Sequence, residues 1–307
     1  MDKEKYTNPD YTPTQDTCKE LENLNKQKEN LSNLHLNKAD LEKIYLVDAV
    51  MKDSDLSKAN FKNASLYGID LSGSNLFKAN FENANLNNAN LENCNLLGAN
   101  LSNAKLKNIT WGKDYKLINE IQAEEADKQG DRETAKEKYR EAEDIYRSIK
   151  ISMQSQTLGD DAGEFFIREM ISKRKQFNKF SASRIGSKII EITTGYGEKL
   201  GNIGFTIIGI ILACMVLYGI DGVKYGDPIN GERIIGFFET SDIQKYGILN
   251  MLGNLFYFSV VVYSTVGFGE ILPIGFLGKS VMIFEGIAGG LVLAILIIAL
   301  YKKTMDR

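Results

Sequence analysis

From Leu31 to Trp111 a large apolar residue returns at every fifth position, seventeen times without a gap. Two positions before most of them stands a small residue, as at Ala39, Ala59, Ala84 and Cys94. From Asp55 to Asn100 the residue directly before is nearly always Asn or Asp. A period of five matches neither an amphipathic helix nor a half-buried strand. It fits a solenoid in which each pentad forms one short face, with the large and the small residue both turned inward. Residues 17–30 read as a cap helix, residues 1–16 as a polar tail, and Trp111 closes the other end. From about 115 to 180 the chain turns to Glu, Lys, Ala, Arg and Tyr, broken by Gly-Asp at Gly130 and Gly159, which predicts a helical connector. Apolar runs follow. Residues 203–220 form an uncharged run, about 27 Å long as a helix and sufficient to cross a bilayer. A second run, 276–301, is longer and carries Lys279 near its start and Glu285 inside it. Between them, residues 252–263 are apolar but only about 18 Å long as a helix, too short to span.

Composition sharpens this division. The 307 residues include 37 basic and 40 acidic side chains, a formal charge of −3, so there is no excess of positive charge for nucleic-acid binding. Three well-separated cysteines, Cys18, Cys94 and Cys214, suggest a reducing interior and neither a disulfide framework nor a zinc site. Cys94 holds an inward position and reads as packing. The one histidine, His35, sits at a corner and reads as a surface residue. No nucleophile–base pair, phosphate loop or metal cluster appears, so no enzyme and no cofactor are expected. The N-terminus is too charged for a signal peptide. Basic residues lie before the first apolar run and after the second (Lys302, Lys303, Arg307), while residues 221–245 hold five acids and three bases. The positive-inside rule then places a multi-pass protein in the cell membrane with both termini cytoplasmic.

The pentads resemble the pentapeptide-repeat family, whose pattern is Ala-Asp/Asn-Leu-x-x. That resemblance implies a right-handed quadrilateral β-helix over 31–111, about four coils and roughly 20 Å tall, with Asn side chains pairing at the corners. Some members of that family imitate DNA, which needs a strongly negative surface; residues 31–111 carry eight acids and eight lysines, a neutral rod. In the connector, Ala126, Gly130-Asp131, Ala135, Tyr139 and Ala142 resemble a tetratricopeptide-like helical hairpin, and Ala162 with Phe166 begins a third helix. It reads either as a rigid spacer or as a platform for subunits or a cytoplasmic partner. Lys173, Arg174, Lys175, Lys179, Arg184 and Lys188 precede the first span, and Ile185, Ile189, Ile190 and Ile192 lie partly on one face. This stretch suits an anionic lipid surface, or serves as a topology signal.

The short apolar stretch runs into Ser264-Thr265-Val266-Gly267-Phe268-Gly269-Glu270. Non-helical backbone at membrane depth is tolerated only inside protein or along a water-filled pore, so these residues read as a re-entrant pore loop. They resemble the potassium-channel signature Thr-Val-Gly-Tyr-Gly. The resemblance implies a selectivity filter in which the carbonyls of Thr265, Val266, Gly267 and Phe268 and the Thr265 hydroxyl bind K⁺, the transported ion, with Gly269 allowing the backbone geometry. One loop supplies a quarter of a filter, so a homotetramer is implied. Phe268 replaces the usual Tyr and is expected to pack behind the filter; Glu270 replaces the usual Asp at the outer mouth. Residues 193–198 copy the signature with a tyrosine, yet no apolar pore helix precedes them, and they read as a flexible juxtamembrane turn. Glu285, alone in the second span, reads as a structural hydrogen-bonding group behind the pore helix or as part of gating or conduction. Gly286, Gly289 and Gly290 read as close helix packing or as a gate hinge.

The whole chain is similar to bacterial and archaeal pentapeptide-repeat ion channels. Its expected segments are 1–30, 31–111, 112–182 (helical hairpin connector), 183–202 (juxtamembrane linker) and 203–307 (two-transmembrane α-helical pore domain). The implied function is a homotetrameric K⁺ channel gated through its N-terminal cytoplasmic domain by a stimulus the sequence does not name. A weakly selective cation channel and a membrane-tethered scaffold are the alternatives. No Arg-rich voltage-sensing helix is present.

Overall fold

One turn, repeated, builds the first third of the chain. The computed structural model describes residues 3–156, 158–227 and 231–305; Arg307, read as part of the basic flank of the second span, lies outside them. Every fifth residue from Asn33 to Asn108 has φ between +51° and +74°. The N–H of the following small residue closes the turn onto the carbonyl of the large one, as from Ala39 to Leu36 at 3.1 Å. A turn with positive φ at its third position favours Gly, Asn and Asp, which explains much of the choice there. After each turn one residue makes a parallel bridge to the residue twenty positions on, from His35↔Asp55 through to Asn90↔Thr110. Twenty residues therefore separate stacked neighbours.

Where an Asn stands before the large residue, as at Asn60, Asn80 and Asn100, it has two tasks. Its Oδ1 accepts a hydrogen bond from the N–H two residues on, as Asn60 does from Lys62 at 3.2 Å. Its Nδ2 donates to the side chain twenty residues back, giving the ladder Asn100 to Asn80 (3.0 Å), Asn80 to Asn60 (3.2 Å) and Asn60 to Asp40 (2.9 Å). Inside, the large positions are buried and align in columns; Phe61 and Phe81 stack with centroids 5.0 Å apart and planes 1° from parallel. Inward serines and Cys94 are satisfied by backbone: Ser74 Oγ donates to Met51 O at 3.0 Å, and Cys94 Sγ to Leu71 O at 3.0 Å. Burial pushes the Cys94 thiol up to about 12, the state of a packing residue.

Both ends of the stack are covered. Helix α1 (Thr17–Lys26) buries Leu21 and Leu24, while Glu22 Oε1 accepts from Tyr45 N at 2.9 Å and Asn25 Nδ2 donates to Val47 O at 3.2 Å. The tail differs from the polar expectation. Its Lys3–Thr7 turn buries Tyr6, whose carbonyl accepts from His35 N at 2.7 Å, the place that a carbonyl of the preceding coil takes elsewhere in the stack. The solenoid's open end draws in an aromatic that sequence polarity concealed.

At the far end, α3 (Arg132–Gln154) and α4 (Gly159–Lys175) share the core of the repeats, while α2 (Ile118–Gln129) packs Ala123 and Ala126 against Ala135 and Tyr139 of α3. Trp111 is buried edge-on against Phe165, 5.0 Å away. The Gln156 amide accepts from Leu106 N at 3.1 Å and donates to Ala104 O at 2.6 Å, satisfying the last coil. Phe165 is the buried aromatic of α4, the third helix in which Ala162 and Phe166 also stand. These helices cap the solenoid, because its terminal large side chains need an apolar lid. Gly130, at φ 84°, ends α2, and Asp131 caps α3 by accepting from Thr134 N at 3.1 Å.

The chain divides into two compact units at Lys188/Ile189, inside α5 (Ala182–Thr194). The second unit holds α6 (Leu200–Asp221), β1 (Val223–Asp227), β2 (Gly231–Ile235), α7 (Thr240–Tyr246), α8 (Ile248–Tyr263), β3 (Ile271–Pro273) and α9 (Phe276–Met305). The strands form an antiparallel sheet in the order β2-β1-β3, with Val223 opposite both Ile235 and Pro273. Helices α6 and α9 are long and apolar enough to cross a membrane, which makes this a multi-pass membrane protein.

The stacked phenylalanines yield a direct test of the core. Phe81→Ala is expected to destabilise the repeat unit by about 3–5 kcal/mol, and Phe81→Leu, matching most equivalent positions, by under about 1.5 kcal/mol. Denaturation of the full chain followed by circular dichroism measures both.

Candidate functional site

Helices α7 and α8 meet at a 108° bend at Gly247, whose φ is 83°. Helix α8, sixteen residues long, ends at Tyr263, and the backbone then leaves helical geometry. Thr265, Gly267 and Gly269 have φ of 57°, 60° and 80°, while Val266 and Phe268 between them do not have positive φ. The N–H groups of Thr265 and Val266 still bond back to Val262 O and Val261 O, at 3.0 and 3.2 Å. Among the described residues, no hydrogen bond reaches the carbonyls of Thr265, Val266, Gly267 or Phe268. The next carbonyl to be used is that of Glu270, which accepts from Gly226 N at 3.0 Å and joins the sheet. Glu270 Oε1 also accepts from Tyr257 Oη at 3.4 Å.

Residues 265–270 are all exposed in the single chain. Phe268 is 64% exposed in the single chain. A cavity of about 310 Å³ opens beside the segment, lined by Phe258, Val261 and Val262 of α8, by Thr265 and Gly267, and by Met282 and Gly286 of α9.

The second copy of the signature behaves differently. Gly195–Gly197 forms a 3₁₀ turn between α5 and α6. Three carbonyls of residues 193–197 are engaged: Thr193 O accepts from Thr206 Oγ1 at 2.7 Å, Thr194 O from Lys199 N at 3.3 Å and Gly195 O from Glu198 N at 3.1 Å. It is a hydrogen-bonded turn, with Thr194 buried.

Glu285 is fully buried between three helices. Its Oε2 lies 2.7 Å from Tyr218 Oη of α6, and its Oε1 contacts Ser259 Oγ of α8. Ser259 Oγ is also 2.9 Å from the carbonyl of Ile211 in α6. Sequence reading singled out Glu285 and missed its partners; a lone serine in an apolar helix was the available signal. Asp221 was missed too: its Oδ2 accepts from Gly278 N at 2.7 Å, placing a carboxylate at the N-terminus of α9, where the helix dipole favours it. Of Gly286, Gly289 and Gly290 in α9, only Gly289 is tightly packed: a Cβ there would stand 2.2 Å from Tyr263 O, at the end of α8. Gly286 and Gly290 meet nothing within 4 Å, and α9 runs through all three as one helix. No group of three His, Cys, Asp or Glu suited to a metal occurs among the described residues.

Family models match part of each unit. Pentapeptide repeats match residues 35–73 and 74–110, in 8 copies, and the Ion channel family matches residues 234–305. No curated protein matches the chain. Among solved structures, a pentapeptide repeat protein from the cyanobacterium Cyanothece 51142 is 44% identical over 27% of this chain and 56% of its own, with a TM-score of 0.26. HetL, a pentapeptide repeat protein involved in heterocyst differentiation regulation from Nostoc sp. strain PCC 7120, is 33% identical over 27% of this chain and 38% of its own, with a TM-score of 0.26. A further pentapeptide repeat protein from Nostoc PCC 7120 is 32% identical, over 31% and 76% of the two chains, with a TM-score of 0.28. The chain thus spans little over half, or less, of the first two. By its family matches it joins a pentapeptide-repeat domain to a two-span domain of the ion-channel type.

The contact at Gly289 separates close packing from free rotation. Gly289→Ala is expected to destabilise the membrane unit by about 1–3 kcal/mol through the clash with Tyr263 O. Gly290→Ala, entering open space in a helix, is expected to be neutral or to stabilise by up to about 1 kcal/mol. Thermal unfolding of the detergent-solubilised protein distinguishes them.

Proposed function

We propose that this chain is one subunit of a cation channel in which four copies bring their 265–269 segments around a common axis. The observation that carries this reading is that the carbonyls of Thr265, Val266, Gly267 and Phe268 are all unclaimed, in a backbone whose φ alternates in sign. Such alternation turns successive carbonyls to one side, whereas a strand points them alternately. Four such rows replace the water shell of a dehydrated cation, and the Thr265 hydroxyl adds a further ring of oxygens. The C-terminal end of α8 lies just before the row, so its partial negative charge favours cations. Glu270 stands after it and concentrates cations at the mouth.

K⁺ is the preferred ion in this reading, on the likeness of Thr265-Val266-Gly267-Phe268-Gly269 to the potassium-channel signature. The two spans then carry the chain across the membrane twice, with both termini cytoplasmic. The repeats wind as a right-handed four-sided β-helix, a reading supported by the twenty-residue bridge spacing. The cytoplasmic segments, 31–111 and the 112–182 connector, gate the pore through the 183–202 linker and α6.

Flux into liposomes containing the purified protein tests the proposal, with K⁺ or Na⁺ as the driving ion and Gly267→Asp as control. Flux with K⁺ and not Na⁺, lost in the variant, is the expected result. Equal flux with both ions would establish the weakly selective alternative. A monomeric protein without flux would contradict the channel and leave the membrane-tethered scaffold.

A further inference from the structure

The hydroxyl of Ser259 has one proton and two oxygen neighbours to give it to. Its Oγ lies 2.9 Å from the Ile211 carbonyl and in hydrogen-bond contact with Glu285 Oε1. A carbonyl is only an acceptor, and so is a carboxylate. With an ionised Glu285, one of the two contacts would press two lone pairs together without a proton between them. The site is fully buried, and no Lys or Arg pairs with Glu285 among the described residues. A buried carboxylate with no cation is costly, and unpaired acceptors in such a place are rare.

We infer that Glu285 is a neutral carboxylic acid that donates its proton to Ser259, so that one directed chain of hydrogen bonds ties α6, α8 and α9 together. Tyr218 Oη donates to Oε2; Oε1 donates to Ser259 Oγ; Ser259 Oγ donates to Ile211 O. Each proton is used once, and each contact becomes a hydrogen bond. The other titratable groups facing the carboxyl are Cys214 and Tyr218 on α6 and Tyr263 on α8, each neutral in its ordinary state. Glu285 is thus a positioning residue. It holds the short helix that precedes Thr265 against both spans, and neither ion conduction nor a fourfold axis enters the argument. Ordered in this way, the three helices move as a block, and a rotation of α9 past α8 must first break the Glu285–Ser259 bond.

Infrared difference spectroscopy of the full chain in lipid vesicles at neutral pH tests this without any flux measurement. The wild type is expected to show the stretching band of a protonated carboxyl, shifted by ¹³C-labelled glutamate and absent in Glu285→Gln. Gln keeps one donor and one acceptor, so Glu285→Gln is expected to retain the wild-type unfolding midpoint, whereas Glu285→Leu lowers it. Ser259→Ala retains the carboxyl and removes its acceptor, so the band is expected to move to higher frequency. Should Glu285→Gln not fold, the Ser259→Ala shift still decides. A carboxylate signature assigned to Glu285, or a carboxyl band unmoved in Ser259→Ala, would overturn the inference.

Discussion

A backbone carbonyl shielded from water must find a donor or face something that takes a donor's place. Both units of this protein are organised by that constraint. In the repeats, each coil's carbonyls accept from N–H groups of the neighbouring coil, and the turns left over are satisfied by Asn side chains. At the ends, where no further coil exists, Tyr6, Glu22, Asn25 and Gln156 supply the missing partners. In the membrane unit the long helices satisfy themselves. The carbonyls from Thr265 to Phe268, exposed in the single chain, have no partner among the described residues. The proposed filter rests on that contrast, and a coordinated cation is the chemistry that completes it.

How much of this was legible in the sequence depended on the range of the interaction. The pentads could be read because one local turn repeats, and every position within it has a fixed burial. The spans could be read because lipid demands length and apolarity together. The sheet of β1, β2 and β3 could not, since Ile271–Pro273 is three residues long and pairs with a strand more than forty positions away. Tyr6 was hidden among polar neighbours, and its burial depends on the open end it meets. Phe165 and Phe166 are adjacent aromatics, and it is Phe165 that turns inward onto Trp111, Tyr115 and Tyr146. For Glu285, the sequence named the residue, but its partners lie 67 and 26 positions away on other helices.

The two copies of the glycine signature show what a motif string lacks. Residues 193–197 and 265–269 share the same small residues, and both take up positive φ. One closes on itself and spends three carbonyls on Lys199, Glu198 and Thr206; the other follows an apolar helix and spends none. The helix before it is held by Ser259 and its end is abutted by Gly289, so the row is placed by packing outside the motif. Chemistry at this site is a property of what surrounds the string.

The central claim is that cations are coordinated by the carbonyls of residues 265–268 from several copies of the chain. Anomalous scattering from the protein determined with rubidium tests it most directly. The account predicts rubidium peaks in a row on the axis shared by four subunits, within coordination distance of those carbonyls. An ordered 265–269 segment with no rubidium beside it would contradict the account.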